Sequence, residues 1–150
     1  TGPQLYSPCC LDSRQISQLI IWRTVNIPGI VTDRLNAAAH AANLKGGEEI
    51  SAIYVGERLG LADAFLLISG GSERQVEAIA EAVEDELRVN HEDQPLRREG
   101  RGSGRWVLLD YGDIVIHVQH VEDRDFYGLD RIWADAPAIE LAELQAQEAV

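Results

Sequence analysis

Residues Ile68 to Val76 run from an apolar strand signal through Gly70, Gly71 and Ser72 into a helix signal. A glycine-rich turn at a helix N-terminus can cradle phosphate with its free backbone N–H groups. Nucleotidyltransferases combine such a Gly-Ser turn with closely spaced carboxylates that hold divalent metal on a neighbouring strand. The nearest carboxylates, Asp110 and Asp113, flank a tight turn instead of alternating along one strand face. No lysine follows the glycines at P-loop spacing, and there is no G-x-G-x-x-G fingerprint. The turn therefore reads either as half of a nucleotide site or as a structural tight turn. His117 and His120 are three residues apart on or just beyond a strand, which sends them to opposite faces. That spacing argues against a shared metal ion even with Glu122 or Asp123 as a third ligand. The scattered serines show no nucleophile elbow and assemble no triad. No catalytic residue, cofactor or metal is expected, and the alternative is a nucleotide-binding or nucleotidyltransferase-type enzyme built on the Gly-Gly-Ser turn.

The remaining chemistry is recognition. The chain carries 25 acidic against 13 basic side chains, a formal net charge of −12. Displacing phosphate counterions needs a basic patch, so a general nucleic-acid surface is disfavoured. A basic protein partner fits the charge, and plain solubility fits it equally. Glu122-Asp123-Arg124-Asp125 reads as the dipole-favoured first turn of a helix, or as an acidic rim for such a partner. Trp106, Tyr127 and Trp133 read first as core aromatics. Tyr111, in a turn beside Gly112, has little core to reach and is expected to be exposed, an interface anchor between Asp110 and Asp113. The candidate partner-binding patch is thus Asp110, Tyr111 and Asp113, with Tyr127 and Leu129 as neighbours.

The elements that must position these residues follow from periodicity. At 150 residues and 45% hydrophobic the chain suits one domain with a real core. Cys9 and Cys10 are adjacent, which implies neither a disulfide framework nor a cysteine metal site and suits a reducing cytoplasm. The apolar stretch Ile16 to Ile27 is too short to span a bilayer and carries no convincing signal-peptide pattern. The sequence has no methionine, and its composition shifts at Pro28-Gly29. Residues 1–30 are therefore expected to be a non-native or disordered extension, with the domain beginning at Val31. The spacing predicts a helix capped by Thr32 and ending near Gly46-Gly47. A strand over Glu49 to Val55 comes next, then a connection from Gly56 to Gly60, then a central strand at Ala64 to Ser69, apolar on both pleat faces. Ser72 to Gln75 is a capping box whose helix buries Val76, Ile79, Ala80, Val83 and Leu87. A polar loop from Asn90 to Gly104 holds a short strand near Arg97 to Gly100. A hairpin follows over Trp106–Asp110 and Ile114–Val118, with His117 on its less buried side. After a short helix carrying Phe126 and Tyr127, Gly128 interrupts; Leu129, Ile132 and Trp133 cluster before Pro137, and 138–150 reads as a frayed helical tail.

Three runs carry a family likeness. Leu61 to Val76, Trp106 to Asp113 with Ile116-His117-Val118, and Phe126 to Trp133 fall in the order and spacing of the signatures of the Iojap-like ribosomal silencing factors. The chain resembles that family from about Thr32 to Pro137, within a domain set at 31–137. The resemblance implies a single α/β domain, a mixed β-sheet flanked by helices, nucleotidyltransferase-like in architecture without the catalytic carboxylates. It also implies a cytoplasmic protein that binds the large ribosomal subunit through ribosomal protein uL14, blocks the small subunit and represses translation when nutrients are limiting. Homodimers of the free protein are implied too, with no membrane and no sequence-specific nucleic acid as partner.

Overall fold

The computed structural model describes residues 28–100 and 104–141, so most of the expected N-terminal extension and the end of the tail lie outside the described residues. In chain order the elements are α1 (Gly29–Leu44), β1 (Glu48–Tyr54), α2 (Gly56–Leu59), β2 (Ala64–Gly70), α3 (Glu73–His91) and β3 (Arg97–Glu99). They continue with β4 (Trp106–Asp110), β5 (Ile114–His120), α4 (Val121–Tyr127), α5 (Leu129–Ile132) and β6 (Ala138–Ile139). Six strands form one mixed sheet in the order β3-β4-β5-β2-β1-β6. The central β2–β5 pair is parallel and the other neighbours are antiparallel. A parallel pair needs a crossover, which α3 and the following hairpin supply.

The sheet is apolar on both sides, and the two sides are covered differently. Ala64, Leu66 and Ile68 of β2, Val107 and Leu109 of β4, and Ile114, Ile116 and Val118 of β5 join one core. The two long helices complete it with Val31, Leu35, Ala38, Ala39 and Ala42 of α1 and with the expected stripe Val76, Ile79, Ala80, Val83 and Leu87 of α3. The alternate residues Phe65 and Leu67 form a second, smaller core with Val55 and Ala62, against which Ile53, Val115, Leu129 and Trp133 pack. Among the described residues, the helices over them are the short α4 and α5.

The capping box is present, but it reaches further than expected. Ser72 Oγ accepts from Gln75 N at 3.1 Å, whereas the Gln75 carboxamide oxygen accepts from Gly71 N at 2.7 Å instead of from Ser72. Gln75 Nε2 then donates to the carbonyls of Lys45 and Gly46 at 3.1 and 3.0 Å. One side chain thus caps α3 and ties it to the end of α1, where Gly46 takes a φ of +80° that a residue with a Cβ rarely adopts.

Four expectations are corrected. Thr32 lies inside α1 and does not cap it: the Pro28 carbonyl takes the Val31 and Thr32 N–H groups, so the helix starts earlier. The connection after β1 contains the one-turn helix α2. Residues 138 and 139 form a strand where a helical tail was expected, because β1 offers an unpaired edge that pairs Ala52 with Ile139 and Ile53 with Ala138. The fold thereby runs past Pro137 to the buried Leu141. Fourth, Ile132 is exposed and does not cluster with Leu129 and Trp133.

Gln75→Glu keeps the acceptor for Gly71 and removes the donor to the two α1 carbonyls. It should lower stability by about 1–2 kcal/mol, seen as a lower urea midpoint with an unchanged slope.

Candidate protein-docking face

The sheet face turned away from α1 and α3 carries Trp106, Leu108 and Asp110 of β4. Beside them stand Val115, His117 and Gln119 of β5, then Phe65, Leu67 and Ser69 of β2, because paired residues share a face. Helix α4 is seated on it by a buried cation. Arg124 is 6% exposed, donates to Ser69 Oγ at 3.0 Å and Ser51 Oγ at 3.2 Å, and grips Asp130 of α5 through Nε and Nη2 at 3.1 and 3.0 Å. Its Nη1 also donates to the Glu49 carbonyl at a bulge of β1, where Glu49 takes a φ of +49°. The hydrogen bonds from Arg124 hold the Asp130 carboxyl below the usual carboxylate range. A charge buried this deeply is tolerable because its donors are satisfied.

Between the anchored helix and the open strands runs a chain of rings. Phe126 meets Tyr127 with centroids 5.0 Å apart, Tyr127 meets Trp106 at 4.9 Å, and Trp106 meets His117 at 5.9 Å. His117 meets Phe65 edge-on at 4.8 Å, and Phe65 meets Trp133 at 5.5 Å. The outer end is in solvent, with Phe126 77% and Tyr127 49% exposed. Leu108, Val115 and Trp106 are only half-buried, and α4 reaches β4 on this side where Tyr127 rests on Trp106. Exposed Ile132 adds to the apolar area on α5, while Glu122 and Asp125 are exposed along α4. A contiguous apolar surface with a charged margin is the form of a protein interface.

The expected patch is only partly assembled here. Tyr127 and half-buried Leu129 lie on this face, and Asp110 stands at its edge in the row of Leu108, accepting from Gly112 N at 2.8 Å and pairing with Arg97 at 3.5 Å. Asp113 turns to the helical side, where it and Asp93 clasp Arg34 of α1. Tyr111 is not exposed: it is 6% accessible and belongs to the main core. The hairpin turn folds it inward beneath the Arg34 clasp. Its hydroxyl has no hydrogen-bond partner, and burial, followed by the charge of Asp93, pushes its pKa up to about 12. His117 likewise sits on a buried position, 5% accessible, because α4 and its ring neighbours close over that end of β5. Sequence reasoning placed Trp106 first in the core and passed over Leu108, Val115 and Phe126; the signal was a strand, Trp106 to Leu109, apolar at four consecutive positions.

The Gly-Gly-Ser turn has its Gly71 N–H already occupied by Gln75, which leaves less for a phosphate than its sequence suggests. Among the described residues no group of three or more His, Cys, Asp or Glu is placed to hold a metal ion. A groove of about 320 Å³ lies beside α3, and its Arg98 is committed to Glu77 and Glu84. No helix of the described residues is long and apolar enough to cross a membrane.

An open apolar sheet face with a charged margin has the form of a binding module. Comparison with known proteins gives it a family. The family described as "Ribosomal silencing factor during starvation" matches residues 30–150. The ribosomal silencing factor RsfS of Bacillus subtilis is 40% identical over 107 residues, covering 71% of this chain and 90% of that protein. A crystal structure from Bacillus halodurans is 36% identical with a TM-score of 0.62, covering 71% of this chain and 96% of that one. Another from Chromobacterium violaceum is 30% identical with a TM-score of 0.65, covering 68% and 84%. The chain belongs to the ribosomal silencing factor family. It is a regulator of translation and not an enzyme, and family membership implies the large ribosomal subunit as its partner.

Two outcomes follow for the buried groups. Tyr111→Phe removes a hydroxyl that has no partner and should leave stability unchanged or raise it, while Tyr111→Ala should cost about 3–5 kcal/mol, both read by urea unfolding. Burial pushes the His117 imidazole down to about 4 from its ordinary 6.5, so folding favours the neutral ring. Its contribution is complete above pH 6.5 and is lost as pH falls toward 4. The parent should therefore lose roughly 2–3 kcal/mol more than His117→Asn between neutral pH and pH 4.5.

Proposed function

We propose that the chain docks on the large ribosomal subunit through the open half of this face, with Trp106, Leu108, Tyr127 and Leu129 against ribosomal protein uL14 and Asp110 at the rim. The single observation that supports this reading is the ring chain that runs from half-buried Trp106 through Tyr127 to exposed Phe126, beside half-buried Leu108 and Val115. Tyr111 and Asp113 leave the proposed contact, since one is in the core and the other is bound to Arg34. The docked domain would occupy the surface needed by the small subunit, and translation would be repressed under nutrient limitation by obstruction alone. The acidic excess suits a cationic docking surface, raising the encounter rate more than the lifetime. We read the scaffold as nucleotidyltransferase-like without catalytic carboxylates and the working compartment as the cytoplasm. Residues 31–137 hold the docking face in this reading, and the extension before them takes no part. Self-association of the free chain would bury the same apolar face.

Co-sedimentation with isolated large subunits tests the reading. Leu108→Asp and Tyr127→Ala should each weaken binding by about tenfold or more, or 1.4 kcal/mol, without loss of fold. Retained binding by both, or an equal loss with Tyr111→Phe, would place the contact elsewhere.

A further inference from the structure

His117 is an expensive choice for its position. It is 5% accessible, between Phe65 on one side and Trp106 on the other. Its Nε2 has no hydrogen-bond partner, although a buried polar atom left unpaired is destabilising. An apolar ring would avoid that cost. The compensation lies at the other nitrogen, where His117 Nδ1 accepts from Trp106 Nε1–H at 3.2 Å. Accepting at Nδ1 assigns the neutral tautomer with its proton on Nε2. Trp106 is bound diagonally across the β4–β5 ladder, since Gln119 is its direct partner and Leu108 is that of His117. Against the other side of the indole rests Tyr127, half in solvent.

We propose that His117 is a positioning residue for large-subunit binding: its Nδ1 fixes the Trp106 indole on the open sheet face, and the fixed indole is the platform for Tyr127. The inference rests on the docking reading given above. An indole is amphipathic, and at a half-buried strand position its N–H would otherwise turn to water and carry the ring with it. The buried acceptor restricts the indole before the partner arrives. Preorganisation of this kind strengthens binding by removing an ordering cost, without adding a contact. A ring held from beneath is also the form of an interface anchor, because it can be desolvated without losing its hydrogen bond.

The test uses the full chain, isolated large subunits and the indole N–H resonances, with Trp106 assigned by substitution. His117→Phe keeps a ring and removes the acceptor; His117→Asn keeps an acceptor near the Nδ1 position. In the parent the Trp106 indole N–H should exchange slowly with solvent. His117→Phe should speed that exchange and weaken subunit binding by about tenfold, while His117→Asn should restore both to within roughly threefold. Parent-like affinity in His117→Phe would overturn the proposal, as would a folded His117→Asn that binds as weakly as His117→Phe. Should His117→Phe not fold, fast exchange of the indole N–H in the parent is by itself sufficient to overturn it. Trp106→Ala separates the two ideas. Undiminished binding there would remove the docking reading and this inference together, whereas loss with Trp106→Ala but not with His117→Phe would remove this inference alone.

Discussion

A β-sheet that is apolar on both faces must be covered on both, and the described residues supply long helices for one face only. Strand β2 is buried along its whole length, Ala64 to Gly70. Helices α1 and α3, of 16 and 19 residues, close the side that carries Leu66 and Ile68. The other side receives seven-residue α4 and four-residue α5, enough to cover Phe65 and Leu67 but not Leu108 or Val115. Helix length is about 1.5 Å per residue, so these two elements span less than the sheet is wide. The uncovered remainder is the face proposed for docking, and it is open because the described covering helices are short.

Short helices have little stability of their own, so α4 and α5 need an anchor, and burial of their few apolar residues is supplemented by Arg124. The guanidinium satisfies strand hydroxyls on one side and Asp130 on the other. The bulge in β1 that turns Glu49 out of regular register belongs to the same arrangement, since its carbonyl is one of the acceptors. His120 caps α4 through Nδ1 accepting from Glu122 N at 3.2 Å, and Gly128 in the left-handed region separates α4 from α5. The position of Tyr127 beside Trp106 is thus fixed from both ends of one helix. The helical side is tied down comparably, with Arg34 joining α1 to Asp93 and Asp113 and Arg98 joining β3 to Glu77 and Glu84. These two arginine clusters are what draw the β4–β5 turn and Tyr111 inward.

The parts of this fold that were legible in the sequence are those governed by local rules. The stripe of α3 and its Ser72 cap are properties of a few consecutive residues, and both stand as read. So do the central strand, the short strand near Arg97 and the hairpin. What was not legible depends on distant partners. Tyr111 looks exposed in a Tyr-Gly turn until Arg34, 77 residues earlier, is seen to clasp the next turn residue but one. His117 looks half-open until α4 folds back over it. The pairing of residues 138 and 139 with β1 is a long-range event that Ala and Ile do not announce. The open face could have been inferred from a mismatch: Trp106 to Leu109 is apolar on both faces, while the described helices after β5 are too short to cover the second.

Recognition without catalysis fits a face whose buried polar residues are few. Of the buried polar residues there, Arg124 donates to Ser69 and His117 Nδ1 accepts from Trp106, whereas the Gln119 carboxamide and His117 Nε2 have no hydrogen-bond partner. Nothing among them is left as an exposed nucleophile or proton donor, whereas carboxylates of α4 such as Glu122 and Asp125 stand in solvent. Long-range attraction falls off over about 10 Å at moderate salt, so an acidic surface can orient an approaching basic protein without entering the final contact. Short-range apolar burial contributes only after water is expelled. Dividing the two roles between different residues keeps unpaired charge out of the interface, where its desolvation would oppose binding. Under the proposed docking, the acid excess and the apolar ridge would serve a single task by different means, and neither requires the chemistry that the Gly-Gly-Ser turn seemed to offer.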